Sequence, residues 1–459
     1  MQKNELIRLT VSDLNNLGCG VGHLENAGEE SGKTVFVAGC VTGDEIEARV
    51  IKINKGYLVG KLERVLKPSP YRTDDFCTAA MSCGGCVYRC VDYAHELKLK
   101  RGYVQNAFRK AGLADVTVEP VRATGELTGY RNKAQYPVAL ARDGSVTAGF
   151  YAVNSHRVVP AERCALQPPV FGEIVSFLCR YAGEHGATVY DEATGKGLLR
   201  HLYLRKGTVT GEVMVCLVVN GERFPGDEML YEELKTRFPC VTSLFLNQNR
   251  ANTNVVLGKE YRLLGGKPYL EDELCGLRFR VSPQSFYQVN HNACELLYGI
   301  AKERAALTGD EWLVDLYCGI GTIGLSMADR AREVLGVEMV PEAVECAREN
   351  AARNGIQNAT FLCADAGDPA SLLSTAGSHV DLSRSVVILD PPRKGTTREL
   401  IEAIDARRVL RVVYVSCNPD TLARDCAIFR DCGYEIGTAA PVDLFPRTGH
   451  VECVVLMTK

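Results

Sequence analysis

The C-terminal part of the chain, from about residue 289, alternates short apolar runs with helical stretches. Five such runs lie at residues 312–316, 333–338, 359–365, 386–390 and 409–416. Parallel strands need a long crossover between them, and that crossover is usually a helix. The alternation therefore predicts a mostly parallel, doubly wound α/β sheet over residues 289–459. In such a sheet the functional residues gather at the carboxyl ends of the strands.

The rest of the chain divides into two further parts. Residues 1–66 form short β-rich segments separated by glycines, and Lys67-Pro68-Ser69-Pro70 ends them. That pattern predicts a small β-barrel. Residues 67–288 begin with a cysteine cluster and a helical stretch from Tyr93 to Gly112, followed by strands and hairpins. They are predicted to form a central α+β domain.

Composition restricts where such a chain works. No uninterrupted apolar run reaches about 18 residues, so no membrane span is predicted. The N-terminus, Met1-Gln2-Lys3, lacks an apolar signal core. The 19 cysteines are an odd number without an export signal. These features favour a reducing cytoplasm, in which clustered cysteines serve metal binding or catalysis.

The charge is unevenly distributed along the chain. The net charge of −3, from 53 Lys and Arg against 56 Asp and Glu, argues by itself against a nucleic-acid partner. Residues 46–110, however, hold 13 Lys and Arg against six Asp and Glu, a local balance of +7. A basic stretch on an acidic body is what a phosphate backbone would select. The alternative is an ordinary solvated charged face.

A cysteine cluster opens the central part. Three thiols lie within ten residues, at Cys77, Cys83 and Cys86. Thiolates so spaced are usual ligands of zinc and of iron–sulfur clusters, and the spacing does not distinguish the two. Cys90 or Cys164 could supply a fourth ligand. Three unligated thiols are the alternative reading.

A glycine turn follows the strand predicted at residues 312–316. Its glycines, Gly319, Gly321 and Gly324, satisfy G-x-G-x-x-G, so a dinucleotide must be considered. Glu338 ends the next strand, where a carboxylate can accept hydrogen bonds from a ribose diol. Asp390 ends a later strand and is followed by two prolines. This Asp-Pro-Pro sequence is typical of methyltransferases and has no role in hydride transfer.

Two further residues stand at strand ends in the last fifty positions. Cys417 follows the strand at residues 409–416 and precedes Asn418-Pro419, so its thiol is predicted to face the crevice. Glu452 begins the last apolar strand. Taken separately, such a cysteine is more often a packing residue, and an acid at the start of a strand is usually solvated.

Seven motifs occur in order along the chain. They are Cys-x5-Cys-Gly-Gly-Cys (77–86), Tyr-Arg-Asn-Lys (130–133), Phe-Tyr-Gln-Val-Asn (286–290), Asp-Leu-Tyr-Cys-Gly (315–319), Asp-Pro-Pro-Arg (390–393), Ser-Cys-Asn-Pro (416–419) and Phe-Pro-x-Thr-x-His-Val-Glu (445–452). Together they resemble the bacterial RNA uracil-5-methyltransferases, specifically the 23S ribosomal RNA enzymes that contain an iron–sulfur cluster. Residues 1–66 resemble the TRAM RNA-binding domain. The resemblance implies a Rossmann-like methyltransferase domain at 289–459, a TRAM or OB-like barrel at 1–66, and a cluster-bearing central domain at 67–288.

The resemblance also implies roles for individual residues. Cys417 matches the nucleophile and Glu452 the general base. The positions that match S-adenosylmethionine contacts are Gln288, Tyr317, Glu338 and Asp390. The positions that match [4Fe–4S] ligands are Cys77, Cys83, Cys86 and Cys164, so Cys90 is expected to be a bystander.

The expected enzyme is a cytoplasmic monomer that methylates C5 of an unpaired uridine flipped out of its stack in 23S ribosomal RNA. The family's transfer RNA enzyme generally lacks the cluster and the barrel, which makes that substrate the alternative. An exocyclic-amine methyltransferase usually has an aromatic residue where Arg393 stands, and it would leave Cys417 without a function. A non-catalytic RNA-binding protein with a zinc knuckle is opposed by the intact glycine turn and by the presence of both Cys417 and Glu452.

Overall fold

The computed structural model describes residues 2–24, 31–74, 77, 79, 82–369 and 380–459. Its N-terminal part is one six-stranded sheet, with strand order β1-β5-β6-β4-β3-β2. The strands are β1 (Leu6–Thr10), β2 (Asp13–Leu14), β3 (Cys19–His23), β4 (Thr34–Ala38), β5 (Glu45–Ile53) and β6 (Tyr57–Lys67). They follow the predicted β-rich segments closely.

The sheet curls until β3 lies against β1. A Cβ atom on Gly22 of β3 would lie 2.3 Å from Leu9 Cδ1 and 2.8 Å from the carbonyl oxygen of Thr10. Only glycine allows this approach without a shift of the neighbouring strand. The inward-facing side chains of β1, β4, β5 and β6 then share one apolar core. This closure agrees with the predicted small barrel.

The central part contains a seven-stranded sheet of order β13-β12-β11-β10-β7-β8-β9, with a separate hairpin β14-β15. Its strands are β7 (Lys133–Leu140), β8 (Val146–Tyr151), β9 (Val158–Pro160), β10 (Leu199–Lys206), β11 (Val213–Val219), β12 (Val241–Gln248), β13 (Glu260–Gly266), β14 (Leu270–Leu274) and β15 (Leu277–Val281). The helices here are α1 (Tyr93–Lys110), α2 (Pro169–Glu184) and α3 (Asp227–Arg237). Alternate residues of β11 face opposite ways, because Val215 packs in the core with α2 and α3 while Cys216 packs towards the C-terminal part.

The C-terminal sheet has strand order β18-β17-β16-β19-β20-β22-β21. Its strands are β16 (Trp312–Leu316), β17 (Glu333–Glu338), β18 (Ala359–Cys363), β19 (Ser385–Leu389), β20 (Arg411–Ser416), β21 (Glu435–Val442) and β22 (Glu452–Thr458). The helices are α4 (His291–Ala305), α5 (Thr322–Ser326), α6 (Pro341–Arg353), α7 (Arg398–Ala406) and α8 (Pro419–Asp431). β16 to β20 are parallel, and β22 runs antiparallel to β20 and β21. The prediction of a mostly parallel α/β sheet is confirmed.

Helix α1 packs on the C-terminal sheet, although its sequence position follows the cysteine cluster. Val104 and Phe108 join the core that contains Leu422 and Phe429 of α8. The chain after α1 then runs beside β21, with Val118 bridged to Ala439. This packing brings the basic end of the central part against the strands that carry the predicted catalytic residues.

The basic stretch at residues 46–110 is not uniformly available to a partner. Lys100 is only 1% exposed and lies between two buried carboxylates. Arg49 pairs with Glu63, and Arg64 pairs with Glu47. The expectation that the whole stretch faces RNA is wrong for Lys100, because a buried ammonium ion serves a structural ion pair rather than a solvent-facing ligand.

No helix in the described ranges is both long enough and apolar enough to cross a membrane.

Candidate active site and cysteine cavity

The glycine turn after β16 is held against the end of β17. The amides of Tyr317 and Cys318 donate to the carbonyl oxygen of Val337, at 3.0 and 3.1 Å. The Glu338 carboxylate accepts from the amides of Gly319 and Val340, at 3.1 and 2.9 Å. Tyr317 has a φ of 67°, which turns the chain sharply out of the strand. Tyr317 and Glu338 are thereby fixed at neighbouring strand ends.

A buried acid that the sequence analysis passed over organises this turn. Asp315 of β16 has no exposed surface, and its Oδ2 accepts from the Gly324 amide at 2.8 Å. A Cβ atom on Gly324 would lie 2.9 Å from the same oxygen, so the third glycine of the motif permits this contact. Burial, with smaller contributions from Asp390 and Glu338, raises the pKa of Asp315 to about 7 against the opposing effect of the Gly324 hydrogen bond. The signal in the sequence that could have identified Asp315 is an acid within a strand whose other residues are apolar.

Asp390 follows β19, and burial raises its pKa to about 7. The loop after it is anchored to the start of α8. The Arg393 carbonyl oxygen accepts from Asn418 Nδ2 at 3.0 Å and from Thr421 Oγ1 at 3.3 Å. The Thr396 amide donates to Asp425 Oδ2 at 2.9 Å. The Asp-Pro-Pro loop is therefore fixed beside the residues that follow β20.

Strand register brings Cys417 and Glu452 to the same place. Ser416 at the end of β20 pairs with Cys453 of β22. Cys417 follows Ser416, and Glu452 precedes Cys453, so in this antiparallel pair the two lie opposite each other at the next position. Cys417 is half-buried and Glu452 is only 4% exposed. The alternative considered from sequence, that Glu452 is a solvated acid at the start of a strand, is therefore wrong.

The two side chains share an acidic, desolvated surrounding. Burial raises the pKa of Glu452 to about 8, and the neighbouring Asp390 raises it as well. Burial likewise raises the pKa of the Cys417 thiol to about 11, with Glu452 and Asp390 adding to the effect and Arg393 opposing it. Perturbed groups gathered at one strand end are typical of a catalytic site. The thiol is therefore kept protonated near pH 7.

The remaining predicted cofactor position, Gln288, lies just before α4. It is 9% exposed, and its carbonyl oxygen accepts from Asn132 Nδ2 at 3.0 Å. Tyr317 OH lies 3.2 Å from Thr396 Oγ1, which joins the glycine turn to the Asp-Pro-Pro loop. Tyr317, Glu338 and Asp390 thus stand at the carboxyl ends of β16, β17 and β19, while Gln288 comes from the preceding segment.

The four cysteines predicted as cluster ligands line one cavity of about 320 Å³. Cys77, Cys83 and Cys86 come from one loop, and Cys164 comes from the segment before α2. Cys90 instead packs against the apolar cluster that contains Tyr88 and Val91. Four cations also line the cavity, which are Arg89, Arg131, Lys133 and Arg163. Among its described lining residues there is no Asp or Glu.

The thiols of this cavity influence one another. Burial raises the pKa of Cys86 to about 12, and Cys164, Cys77 and Cys83 contribute to the rise. Within the part of the chain that the structure describes, no three His, Cys, Asp or Glu side chains are arranged to hold a metal ion. The cavity therefore has the thiol donors predicted from sequence, without the close spacing of a single-ion site.

Sequence reasoning also gave no role to His450, which lies within the last of the seven motifs. Its Nε2 is 3.5 Å from Arg393 Nη2. Burial, with smaller contributions from Arg393, Arg131 and Lys100, lowers the pKa of His450 to about 4. A neutral imidazole therefore stands two residues before Glu452.

Comparison with known proteins identifies the family of the chain. Residues 252–459 match the family model described as tRNA (uracil-5-)-methyltransferase, and residues 2–62 match the TRAM domain. A Halalkalibacterium halodurans protein named as an uncharacterized RNA methyltransferase is 38% identical over 458 residues, which is all of this chain and 98% of the relative. A Clostridium tetani protein with the same name is 38% identical over 458 residues, covering 97% of that protein.

One solved structure resembles almost the whole chain. The tRNA (uracil-54, C5)-methyltransferase of Pyrococcus abyssi, solved with S-adenosyl-L-homocysteine, has a TM-score of 0.77 and 26% identity, covering 98% of this chain and all of its own. S-adenosyl-L-homocysteine is what S-adenosylmethionine becomes after it has lost its methyl group. The chain therefore belongs to the RNA (uracil-5-)-methyltransferase family with an N-terminal TRAM domain, and it is an S-adenosylmethionine-dependent RNA methyltransferase.

Proposed function

We propose that this enzyme methylates C5 of a uridine in 23S ribosomal RNA through a covalent bond between Cys417 and C6 of the base. The observation that carries the proposal is the pairing of β20 with β22, which sets Cys417 opposite Glu452 beside the Asp390 loop. A nucleophile and a proton acceptor are thus available within one desolvated site.

The chemistry requires both residues. C5 of uracil is too weak a nucleophile to take a methyl group directly. The Cys417 thiolate adds to C6, and the electron pair of the C5–C6 double bond moves into the ring as an enolate that is nucleophilic at C5. Bound S-adenosylmethionine would supply an electrophilic methyl group on its sulfonium. C5 of the enolate would take that methyl group as the S–CH3 bond breaks, with the electron pair left on the sulfur of departing S-adenosylhomocysteine. Glu452 then takes the C5 proton, the C5–H electron pair restores the double bond, and the C6–S bond breaks to release the Cys417 thiolate.

The electrostatics of the site suit these steps. A glutamate whose pKa is raised to about 8 is, once ionised, a stronger proton acceptor than an ordinary glutamate, and its ionised fraction grows as the pH rises through about 8. The carboxylates that raise the pKa of Cys417 also form an acidic setting for a cationic cofactor. We assign cofactor binding to Gln288, Tyr317, Glu338 and Asp390. Glu338 is already held by two amides, so its carboxylate can receive ribose hydroxyls without reorientation.

We further propose that Cys77, Cys83, Cys86 and Cys164 hold a [4Fe–4S] cluster. Four thiols on one cavity supply the full ligand set, and the four lining cations offset the negative charge of a thiolate-ligated cluster. The bound cluster would join the loop of residues 77–86 to Cys164.

Ribosomal RNA is the favoured substrate, because the cysteine motif resembles that of the 23S enzymes. The barrel does not separate the two substrates, since the likeness to the Pyrococcus abyssi transfer RNA enzyme spans 98% of this chain. Transfer RNA is the second candidate, and the likeness to the Pyrococcus abyssi enzyme favours it. In either RNA the uridine must leave its stack so that C6 can reach Cys417.

Two measurements test the proposal. Ribosomal and transfer RNA from cells with and without the gene are mapped for 5-methyluridine, and loss of one 23S position is expected.

In the second measurement, the purified protein is incubated with S-adenosylmethionine and the mapped RNA carrying 5-fluorouridine. A denaturation-resistant adduct should form, because fluorine cannot leave as a proton does. Cys417→Ala should form none, whereas Cys363→Ser, an exposed cysteine on β18, should behave as wild type. Loss of a methyl group from transfer RNA instead would contradict the proposed substrate. The absence of an adduct would contradict the proposed mechanism.

A further inference from the structure

A buried network of four charges joins α1 to the loop between β21 and β22. Lys100 Nζ lies 2.8 Å from Glu96 Oε1 and 2.7 Å from Asp443 Oδ1. Glu96 Oε2 lies 3.4 Å from Arg447 Nη1. Neither carboxylate has exposed surface, and Lys100 is 1% exposed. The network holds two acidic and two basic side chains, so its charges balance. It joins two parts of the chain that lie more than 340 residues apart in sequence.

That loop ends at the proposed general base. Asp443 directly follows Val442, and Val442 pairs with Glu452 across the two strands. The first half of the loop between them, residues 443–451, is tied to α1. Lys100 Nζ also donates to the Phe445 carbonyl oxygen at 3.0 Å, and the Arg447 amide donates to Glu96 Oε1 at 2.7 Å. Asn290 Nδ2 and Tyr130 OH hold the same half from other segments, through the carbonyl oxygens of Leu444 and Pro446.

Other contacts secure the same loop from the start of α1, from the segment just before α1 and from the TRAM domain. Tyr93 OH donates to Asp443 Oδ2 at 2.9 Å, and the Tyr88 amide donates to the Arg447 carbonyl oxygen at 3.1 Å. A Cβ atom on Gly449 would lie 1.7 Å from the Asn16 carbonyl oxygen, so the loop touches the barrel directly. Lys100 stands at the centre of these contacts, because it is the cation shared by both wholly buried carboxylates.

Removing that cation would leave two carboxylates buried and close together. Uncompensated buried charge is strongly unfavourable, and it is relieved when a carboxylate takes up a proton or moves towards water. In either case the ion pair that ties Asp443 to α1 is lost. Glu96 lies on a packed helix, whereas Asp443 begins a loop, so the loop is the part that moves. Its movement displaces the start of β22, where Glu452 stands.

We propose that Lys100 is a positioning residue for Glu452, acting through Asp443 and the loop of residues 443–451, rather than a cation that contacts RNA. The inference rests on the proposed role of Glu452 as the base. It predicts a defect in the last chemical step, the removal of the C5 proton, because addition of Cys417 and methyl transfer precede that step. An RNA contact would instead change binding.

The test compares Lys100→Met with Lys98→Met, which removes an exposed cation from the same helix. Total RNA from cells lacking the gene serves as substrate, since it holds the unmodified target whichever RNA carries it. Lys100→Met should lower kcat by about 100-fold, the loss expected from roughly 1 Å of misplacement, with KM little changed. Unresolved methylated RNA–protein adduct should accumulate, and amides of residues 443–451 should exchange hydrogen faster. Lys98→Met should leave kcat, adduct level and exchange unchanged.

Two further variants keep the outcome decisive. If Lys100→Met fails to fold, Tyr93→Phe replaces it, because this variant removes only one hydrogen bond to Asp443. It should lower kcat by about fivefold, and it should also accumulate adduct and speed hydrogen exchange in the loop. Glu452→Gln should accumulate adduct without faster exchange in the loop. No accumulation with Glu452→Gln would refute the proposed base. Accumulation there, but a KM effect or unchanged loop exchange with Lys100→Met or Tyr93→Phe, would refute the positioning role alone.

Discussion

The molecule places buried thiols in two contrasting settings. Cys417 lies among carboxylates, with Glu452 and Asp390 raising its pKa and Arg393 as the opposing cation. Cys86 lies in a cavity lined by four cations, and the groups that raise its pKa are the other three cavity thiols. Burial is the largest cause in both places. The difference lies in which neighbours add to it.

This contrast separates two uses of a protonated thiol. Thiolates crowded together repel one another, which is why these thiols hold their protons. When a metal centre binds, it displaces the protons and its positive charge offsets that repulsion. The cavity is where we propose that a cluster is ligated. Around Cys417 the carboxylates would remain in the proposed reaction, so its thiolate would depend on Arg393 and on the positive charge of the cofactor. In the free enzyme the raised pKa keeps this proposed nucleophile mostly as the less reactive thiol.

The largest expected effect tests the cavity side of the comparison. Cys86→Ser removes one of the four proposed ligands, and bound iron and the absorbance near 400 nm should fall at least ~10-fold, since loss of even an outer partner of a metal ligand costs that much. Cys90→Ser is the matched control. Anaerobically purified protein, assayed for iron and sulfide, gives the measurement. Equal losses in both variants would show that Cys90 belongs to the ligand set, and a colourless zinc-loaded wild type would rule out the iron–sulfur assignment.

A smaller effect tests the catalytic side. Glu452→Gln removes a negative charge that raises the pKa of Cys417, so the thiol should ionise more readily. Alkylation of Cys417 in the free enzyme at pH 8 should quicken by about threefold for each unit by which the pKa falls, because a weaker base is also a weaker nucleophile. In both proteins the rate should rise with pH from 7 to 10, since the wild-type thiol titrates at about 11. Mass spectrometry of the Cys417 peptide follows the reaction.

A matched variant guards that result. Glu435→Gln removes an exposed acid at the far end of β21 and should leave the alkylation rate unchanged. A slower reaction with Glu452→Gln would mean that the carboxylate assists the thiol rather than repelling its charge, and the contrast between the two thiol settings would lose its basis.

Much of this arrangement was predictable from sequence. Strands such as β5 and β16 were located by their apolar pattern because local burial determines it. The positions of Cys417 and Glu452 at strand ends followed from the same pattern. Their pairing could not be deduced locally, because it depends on the register of β20 and β22 after an intervening helix and strand.

Lys100 shows where the sequence misleads. Because residues 46–110 carry a local charge balance of +7, the sequence predicts Lys100 to be one more solvent-facing cation. Its partner Asp443 lies 343 residues away, and only the packing of α1 on α8 brings the two together. A long-range ion pair of this kind leaves no periodic trace in the chain.

The smallest expected effect concerns the cation on the catalytic side. Arg393 lowers the pKa of both Cys417 and Glu452, but it ranks below burial and the carboxylates as a cause. Arg393→Met should therefore slow alkylation of Cys417 at pH 8 by only about twofold, a change typical of one partly screened charge. The loop should keep its anchor, because Asn418 bonds the backbone carbonyl of Arg393. Lys394→Met, one residue on and exposed, is the control. A rate that rises with Arg393→Met would mean that the guanidinium does not stabilise the thiolate, leaving the cofactor as its proposed source of positive charge.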